Sequence, residues 1–214
     1  MKIEFQYRDI DLTISEIKSN LEAVQKYSME SILVDVNHLR LAKEINHNKR
    51  INTWIDYPLG LSDIKTRKII LESVIAGHKI DIISIVLPFY YLVNRKYEKI
   101  REDIRQNVEI CTPAGIELRY VLEYRKFDHQ FLAKVCEILM QNNISIIYPS
   151  TGFFIDDIHD NIIASTFLHK KTGIDCIING RVWTEKQADA LWGSEVYGIS
   201  ADTILGIEIL HRNR

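Results

Sequence analysis

The chain has 214 residues, with 27 basic and 29 acidic side chains and 46% hydrophobic content. That is the composition of one ordinary globular domain, and a net charge near −2 leaves no basic footprint for nucleic acid. No apolar stretch reaches bilayer length and no charged-then-apolar leader follows Met1, so a cytoplasmic single domain over residues 1–214 is expected, with no membrane contact.

Short runs rich in Ile, Val and Tyr alternate with longer segments of helical period. The runs centre on 3–7, 31–36, 51–57, 81–87, 117–123, 144–150, 174–179 and 196–200. After the first, Thr13 and Glu16 have capping-box spacing, and Ile17, Leu21 and Val24 share a helical face. After the third, Ile69, Ile70, Ser73 and Val74 are expected to line a face that ends at Gly77. The apolar stretch 80–92 is broken by Asp81, Ser84 and Pro88, which predicts a buried strand followed by a loop. Asp128 is a plausible N-cap for a helix burying Phe131, Leu132, Val135, Cys136 and Leu139. Gly173 and Gly193 close the next two helical segments.

Eight strand–helix alternations predict a parallel sheet covered by helices, because a parallel crossover needs that much chain. In about 210 residues this fits an α/β fold of the closed (β/α)8 TIM-barrel type. An open doubly wound sheet is the alternative, but it normally begins with a glycine-rich turn, and none follows Tyr7. Cys111, Cys136 and Cys176 match no zinc or redox spacing and read as buried reduced thiols, with a nucleophilic cysteine as the alternative.

Several segments resemble the deoxyribose-phosphate aldolase family, in order along the whole chain. Ser150-Thr151-Gly152-Phe153 resembles the end of its K-T-S-T-G-F signature. Residues 53–60 (TWIDYPLG) resemble T-V-I-G-F-P-x-G, and 118–123 (LRYVLE) resemble L-K-V-I-I-E. Asn179-Gly180, with Thr184 and Ala188, resembles the G-G-I-R-T-x-E-D-A segment, and 198–201 (GISA) the G-T-S-S loop. The opening IEFQYRDIDLT aligns with I-D-H-T-L-L-K-P-D-A-T.

The resemblance implies a barrel with its site at the C-terminal strand ends, and a class I mechanism in which a lysine amine forms an iminium. Yet Tyr148 stands where the family has that lysine. The second family lysine falls on Cys176 or Ile177, depending on the placement of a gap. The proton-shuttling aspartate falls on Ser84, or on Ile82 beside Asp81; strand alternation forbids Asp81 and Ser84 from both facing inward, and Ser84 is favoured. Tyr148 could donate a proton to a ligand or simply fill the lysine's volume. Lys126 and Lys65 are candidates for a relocated lysine, with ordinary surface lysines as the alternative.

The resemblance also implies phosphate binding by the loops that carry Ser150, Gly152, Asn179, Gly180, Gly198 and Ser200, unless the glycines serve only tight turns. Arg181 and Trp183 depart from the family's pattern there. Asp35, Asp56 and Glu123, with Glu4, could line the mouth and hold a divalent cation such as Mg²⁺ or a basic ligand; otherwise Arg119, Arg8 or His38 satisfies them in ion pairs. No zinc site is expected at His38 or His78, and no other cofactor.

The expectation is therefore an aldolase-like barrel for a small phosphorylated aldehyde or sugar. Tyr148, Ser84, Glu123 and Asp56 are its candidate catalytic residues, and the resemblance implies a homodimer. The alternatives are an inactive homologue with a binding or regulatory role, and a true aldolase with a moved lysine.

Overall fold

In a computed structural model, which describes residues 1–7, 11–154 and 157–212, the predicted strands close into a parallel barrel in the order β1 to β8. They are β1 (Lys2–Gln6), β2 (Ser31–Val34), β3 (Arg50–Ile55), β4 (Ile82–Val86), β5 (Glu117–Val121), β6 (Ile146–Tyr148), β7 (Asp175–Gly180) and β8 (Gly198–Ala201). Outside run α1 (Ile14–Val24), α2 (Leu39–Ile45), α3 (Ile64–Gly77), α4 (Phe89–Val93), α5 (Tyr97–Cys111), α6 (His129–Met140), α7 (Ile158–Thr172), α8 (Glu185–Trp192) and α9 (Ile204–Arg212).

Local chemistry sets the helix ends. Thr13 and Glu16 form the reciprocal capping box, and Asp128 accepts from the Phe131 N–H at 2.8 Å. Gly173 ends α7 at φ +78, a left-handed turn that glycine adopts without Cβ strain. Two expectations need correction. The buried face of α3 is Ile64, Arg67, Leu71 and Val74, while Ile69 is exposed, because a buried arginine rather than an isoleucine pair keys this helix to the barrel. Pro88 precedes a short helix, α4, rather than a loop; proline's fixed φ suits a helix start.

Side chains alternate across each strand. One set, including Phe5, Ile32, Ile83, Tyr120, Cys176 and Ile199, packs under the helices. The other points into the barrel, where Leu33, Trp54, Val86, Val121, Tyr148 and Ile177 form a separate cluster. All three cysteines are buried free thiols; burial pushes Cys111 and Cys176 up to about 12, which removes the thiolate a nucleophile needs. Among the described residues no helix is long and apolar enough to cross a membrane.

Candidate functional site

The barrel axis divides into two storeys. The lower one is ionic. Lys2 reaches Glu30 at 2.9 Å, Glu30 accepts from Arg50 at 3.2 Å, and Arg50 donates to Glu117 at 2.6 Å. Glu117 also holds the Arg119 Nε, while the Arg119 Nη1 donates to Glu4. Burial works against the Arg119 charge, but Glu4, Tyr148 and Glu117 outweigh it and hold its pKa well up. A guanidinium suits this place because its fork serves two carboxylates at once.

Tyr148 sits on top of this column, fully buried. Its hydroxyl donates to Glu4 Oε2 at 2.7 Å. The same oxygen accepts from Asn52 Nδ2 at 3.0 Å and from Arg119 at 3.1 Å. A phenol has one proton and two lone pairs, so its capacity is spent. Burial first, and then the Glu4 charge, raise its pKa far above the usual phenol range. Trp54 meets its ring edge-on at 5.3 Å, and Tyr57 stacks on Trp54 at 4.9 Å while donating to the Thr151 carbonyl at 3.1 Å. Nothing in this arrangement leaves the Tyr148 hydroxyl reachable from the mouth.

The structure settles the placements left open by counting. Ser84 faces inward and donates to Asn52 Oδ1 at 3.0 Å, whereas Asp81 lies before β4, paired with Lys43 at 2.9 Å and capping the Ile51 N–H. Ile177 joins Tyr148 in the inner cluster, while Cys176 points outward toward the Ser165 carbonyl.

The acids expected at the mouth do not converge. Asp35 caps a turn and pairs with His38. Asp56, at φ +60, pairs with the buried Arg67 at 2.8 Å and accepts from Ser62. Arg67 also lies 3.0 Å from Asp103, whose pKa burial raises although Arg67 pulls it down. Glu123 accepts from Thr151 Oγ1 at 2.7 Å. Arg8 lies outside the described residues. Separate partners make Asp35, Asp56 and Glu123 a poor metal set, and no group of three such residues among those described could hold an ion.

Glu123 does line a small apolar cavity of about 80 Å³, with Pro58, Leu87, Phe89, Thr151 and Phe154. Lys126 stands near it, its Nζ 4.5 Å from the Phe154 ring centroid. Lys65 is exposed on α3.

The glycine-bearing segments are mostly shaped by packing. Gly198 is the first residue of β8, at the end opposite the mouth, so its assignment to a phosphate loop is corrected; a Cβ there would meet the Lys2 carbonyl at 3.0 Å. At Gly180 a Cβ would approach Ile158 at 3.2 Å. Gly152, at φ +68, serves the turn after β6. Ser150 and Asn179 are buried, locked by Asn179 Nδ2 to the Ser150 carbonyl at 2.6 Å and by Asn161. The neighbouring helices cap themselves through Asp157, Thr184 and Thr203. Arg181 pairs with Asp202 at 2.9 Å, and its side chain is 45% exposed.

Sequence reasoning did not single out Gln6, Asn52 or Trp54 as interior residues. Their signal was parity: each lies two residues from another inward position on its strand.

A closed parallel barrel with helices outside and its loops around a polar axis places the chain in the class of (β/α)8 TIM barrels. Its relatives sharpen this. The chain is 27% identical over 143 residues to a deoxyribose-phosphate aldolase of Metamycoplasma arthritidis, covering 66% of this chain and 64% of that one. It is 29% identical over 127 residues to that of Mannheimia succiniciproducens, covering 58% and 54%. The matched region is thus under two thirds of either relative's length. An aldolase designated QR15 superposes with a TM-score of 0.82 at 17% identity, covering 99% and 93% of the two chains. A tetrameric deoxyribose phosphate aldolase from Aeropyrum pernix gives 0.82 at 15%, covering 98% and 88%. No family model matches. In sequence and fold, the chain is similar to deoxyribose-phosphate aldolases.

Proposed function

We propose that the chain is an aldolase-like barrel that binds a small phosphorylated aldehyde or sugar at its C-terminal mouth without forming a lysine iminium. One observation carries this. The two positions where the resemblance implies lysines hold Tyr148 and Ile177, both sealed in the inner cluster, with the phenol bound on all sides. Beside those two positions the described residues offer a carbonyl ligand no amine to condense with, and Ser84 rather than an acid. Arg181 beside Trp183 offers the phosphate a cation, and the relatives' printed names supply the substrate class. The expected setting is a cytoplasmic homodimer, which sedimentation of the purified protein would check.

Thermal shift tests the binding claim. Deoxyribose 5-phosphate or glyceraldehyde 3-phosphate should raise the melting temperature, and Arg181→Ala should abolish the rise. If neither compound stabilises the protein, the proposal fails.

A second reading has its own observation. Lys126 stands at the rim of the apolar cavity that Glu123 lines, and an amine beside an apolar pocket is a site for imine formation. A reduced adduct mapped to Lys126 after borohydride treatment would select it.

A further inference from the structure

One buried guanidinium serves two carboxylates beside the mouth. Arg67, on α3 and fully buried, lies 2.8 Å from Asp56 Oδ2 and 3.0 Å from Asp103 Oδ1. It also donates to the Val86 carbonyl at the end of β4 at 2.7 Å. The side chain therefore ties α3 to three places: the loop after β3, the top of β4, and α5. Asp103 is itself fully buried, and the Asp56 side chain is 10% exposed.

The formal charges do not cancel. Two carboxylates facing one guanidinium leave a negative charge over, and an excess charge held away from water is costly until a proton or a cation answers it. Asp103 is the group that takes the proton. Burial raises its pKa, Arg67 and Asn107 pull it down, and the Asp56 charge pushes it up again. Its remaining neighbours are neutral. Asn107 on α5 donates to Asp103 at 3.3 Å and to the Tyr120 hydroxyl on β5 at 3.0 Å. Burial keeps Tyr120 and nearby Cys111 protonated, the phenol well above its usual range and the thiol up to about 12.

Asp56 begins the loop that Arg67 holds. It stands at φ +60, a left-handed conformation that side chains other than those of Asn and Asp seldom adopt. Its carboxylate accepts from the Ser62 N–H at 3.1 Å and the Ser62 hydroxyl at 2.9 Å, and its carbonyl accepts from the Gly60 N–H at 2.9 Å. The pair with Arg67 offsets the local strain, so whatever weakens the pair frees the loop. That loop carries Tyr57, stacked on Trp54, and the Pro58, Leu59 and Leu61 side of the apolar cavity.

We propose that Asp103 is a proton-operated latch for the mouth loop 56–62: neutral, it leaves Arg67 to Asp56 and the loop is held; ionised, it competes for Arg67 and the loop is released. The direction follows from reciprocity. With the loop in place, the Asp56 charge makes Asp103 hold its proton more tightly, so the proton in turn favours the loop in place. Acid closes the latch and base opens it. This goes beyond the proposed ligand, because the loop borders the mouth whatever binds there.

Backbone amide exchange of the full chain, followed by NMR between about pH 5 and pH 8 and expressed as protection factors, reads the latch at Gly60 and Ser62. Their protection should fall about tenfold as pH rises, the counterpart of one pH unit in the Asp103 titration. Leu168, within α7, should keep constant protection. Asp103→Asn keeps the shape without the charge and should hold both loop amides at their acid level throughout. Asp56→Gly suits φ +60 while removing the carboxylate, so a folded protein with weak loop protection at every pH is expected. A parent loop whose protection ignores pH, or a pH dependence that survives Asp103→Asn, would overturn the latch. A parallel fall at Leu168 would also overturn it, because the whole fold rather than the loop would then be titrating.

Discussion

The lower barrel and the upper barrel both bury polar side chains, and they treat them differently. In the lower storey Glu4, Arg119, Tyr148 and Asn52 answer one another, donor to acceptor. In the upper storey Gln6, Asn179 and Ser200 keep unpartnered oxygens. The two regions lie one pleat apart on the same strands, so fold alone does not separate them. A satisfied network rigidifies and specifies a core, whereas an unsatisfied one costs stability and makes sense where a ligand completes it. The position with the family's strongest catalytic association, Tyr148, thereby falls on the structural side.

The contrast can be broken most sharply at Arg119. Arg119→Met leaves Glu4 buried without its cation and should cost about 3–5 kcal/mol in denaturant unfolding. A loss near zero would mean the column is not holding the barrel. Tyr148→Phe is the next step down. It removes the donor to Glu4 and the acceptor for Asn52, and should cost about 1–3 kcal/mol. Unchanged stability would reopen a ligand-facing role for the phenol.

Acid titration probes the same column more gently. Burial favours the neutral Glu117, but Arg119 and Arg50 outweigh it and hold the carboxyl below its usual range. A lowered folded pKa contributes stability that is present above the unfolded value, about 4.5, and is lost as pH falls through the folded pKa. Stability measured from pH 6 downward should therefore decline below about 4.5, less steeply in Glu117→Gln than in the parent. Equal slopes would remove Glu117 from the account. The smallest effect belongs to the upper storey: Ser200→Ala should raise the melting temperature by about 2–4 °C for each kcal/mol relieved.

The barrel was legible because period-2 runs and helical stretches alternate eight times, and because caps such as Thr13 and Asp128 act over a few residues. That Tyr148 stands where the resemblance implies a lysine was legible as well, since it sits beside the Ser150-Thr151-Gly152-Phe153 segment that carries the resemblance. The interior was not. Whether position 176 or 177 faces inward depends on one residue of register, which the strand neighbours fix: Ile177 pairs with Gly198 and Cys176 with Ile147. Gly198 misled because a glycine needed for a close strand approach looks the same in sequence as one needed for an anion. Asp35, Asp56 and Glu123 share a sign but not a location, and only three-dimensional distance shows that each has its own partner. Gln6 and Trp54 became visible only when unmet hydrogen bonds could be counted.

The proposed absence of iminium chemistry from this aldolase-like barrel is tested most directly by intact-mass spectrometry after borohydride reduction. The protein is incubated with acetaldehyde, glyceraldehyde 3-phosphate or deoxyribose 5-phosphate, beside an authentic deoxyribose-phosphate aldolase that labels under the same conditions. The chain should keep its unmodified mass while the control gains a reduced adduct. A stoichiometric adduct on any lysine of this chain would contradict the account.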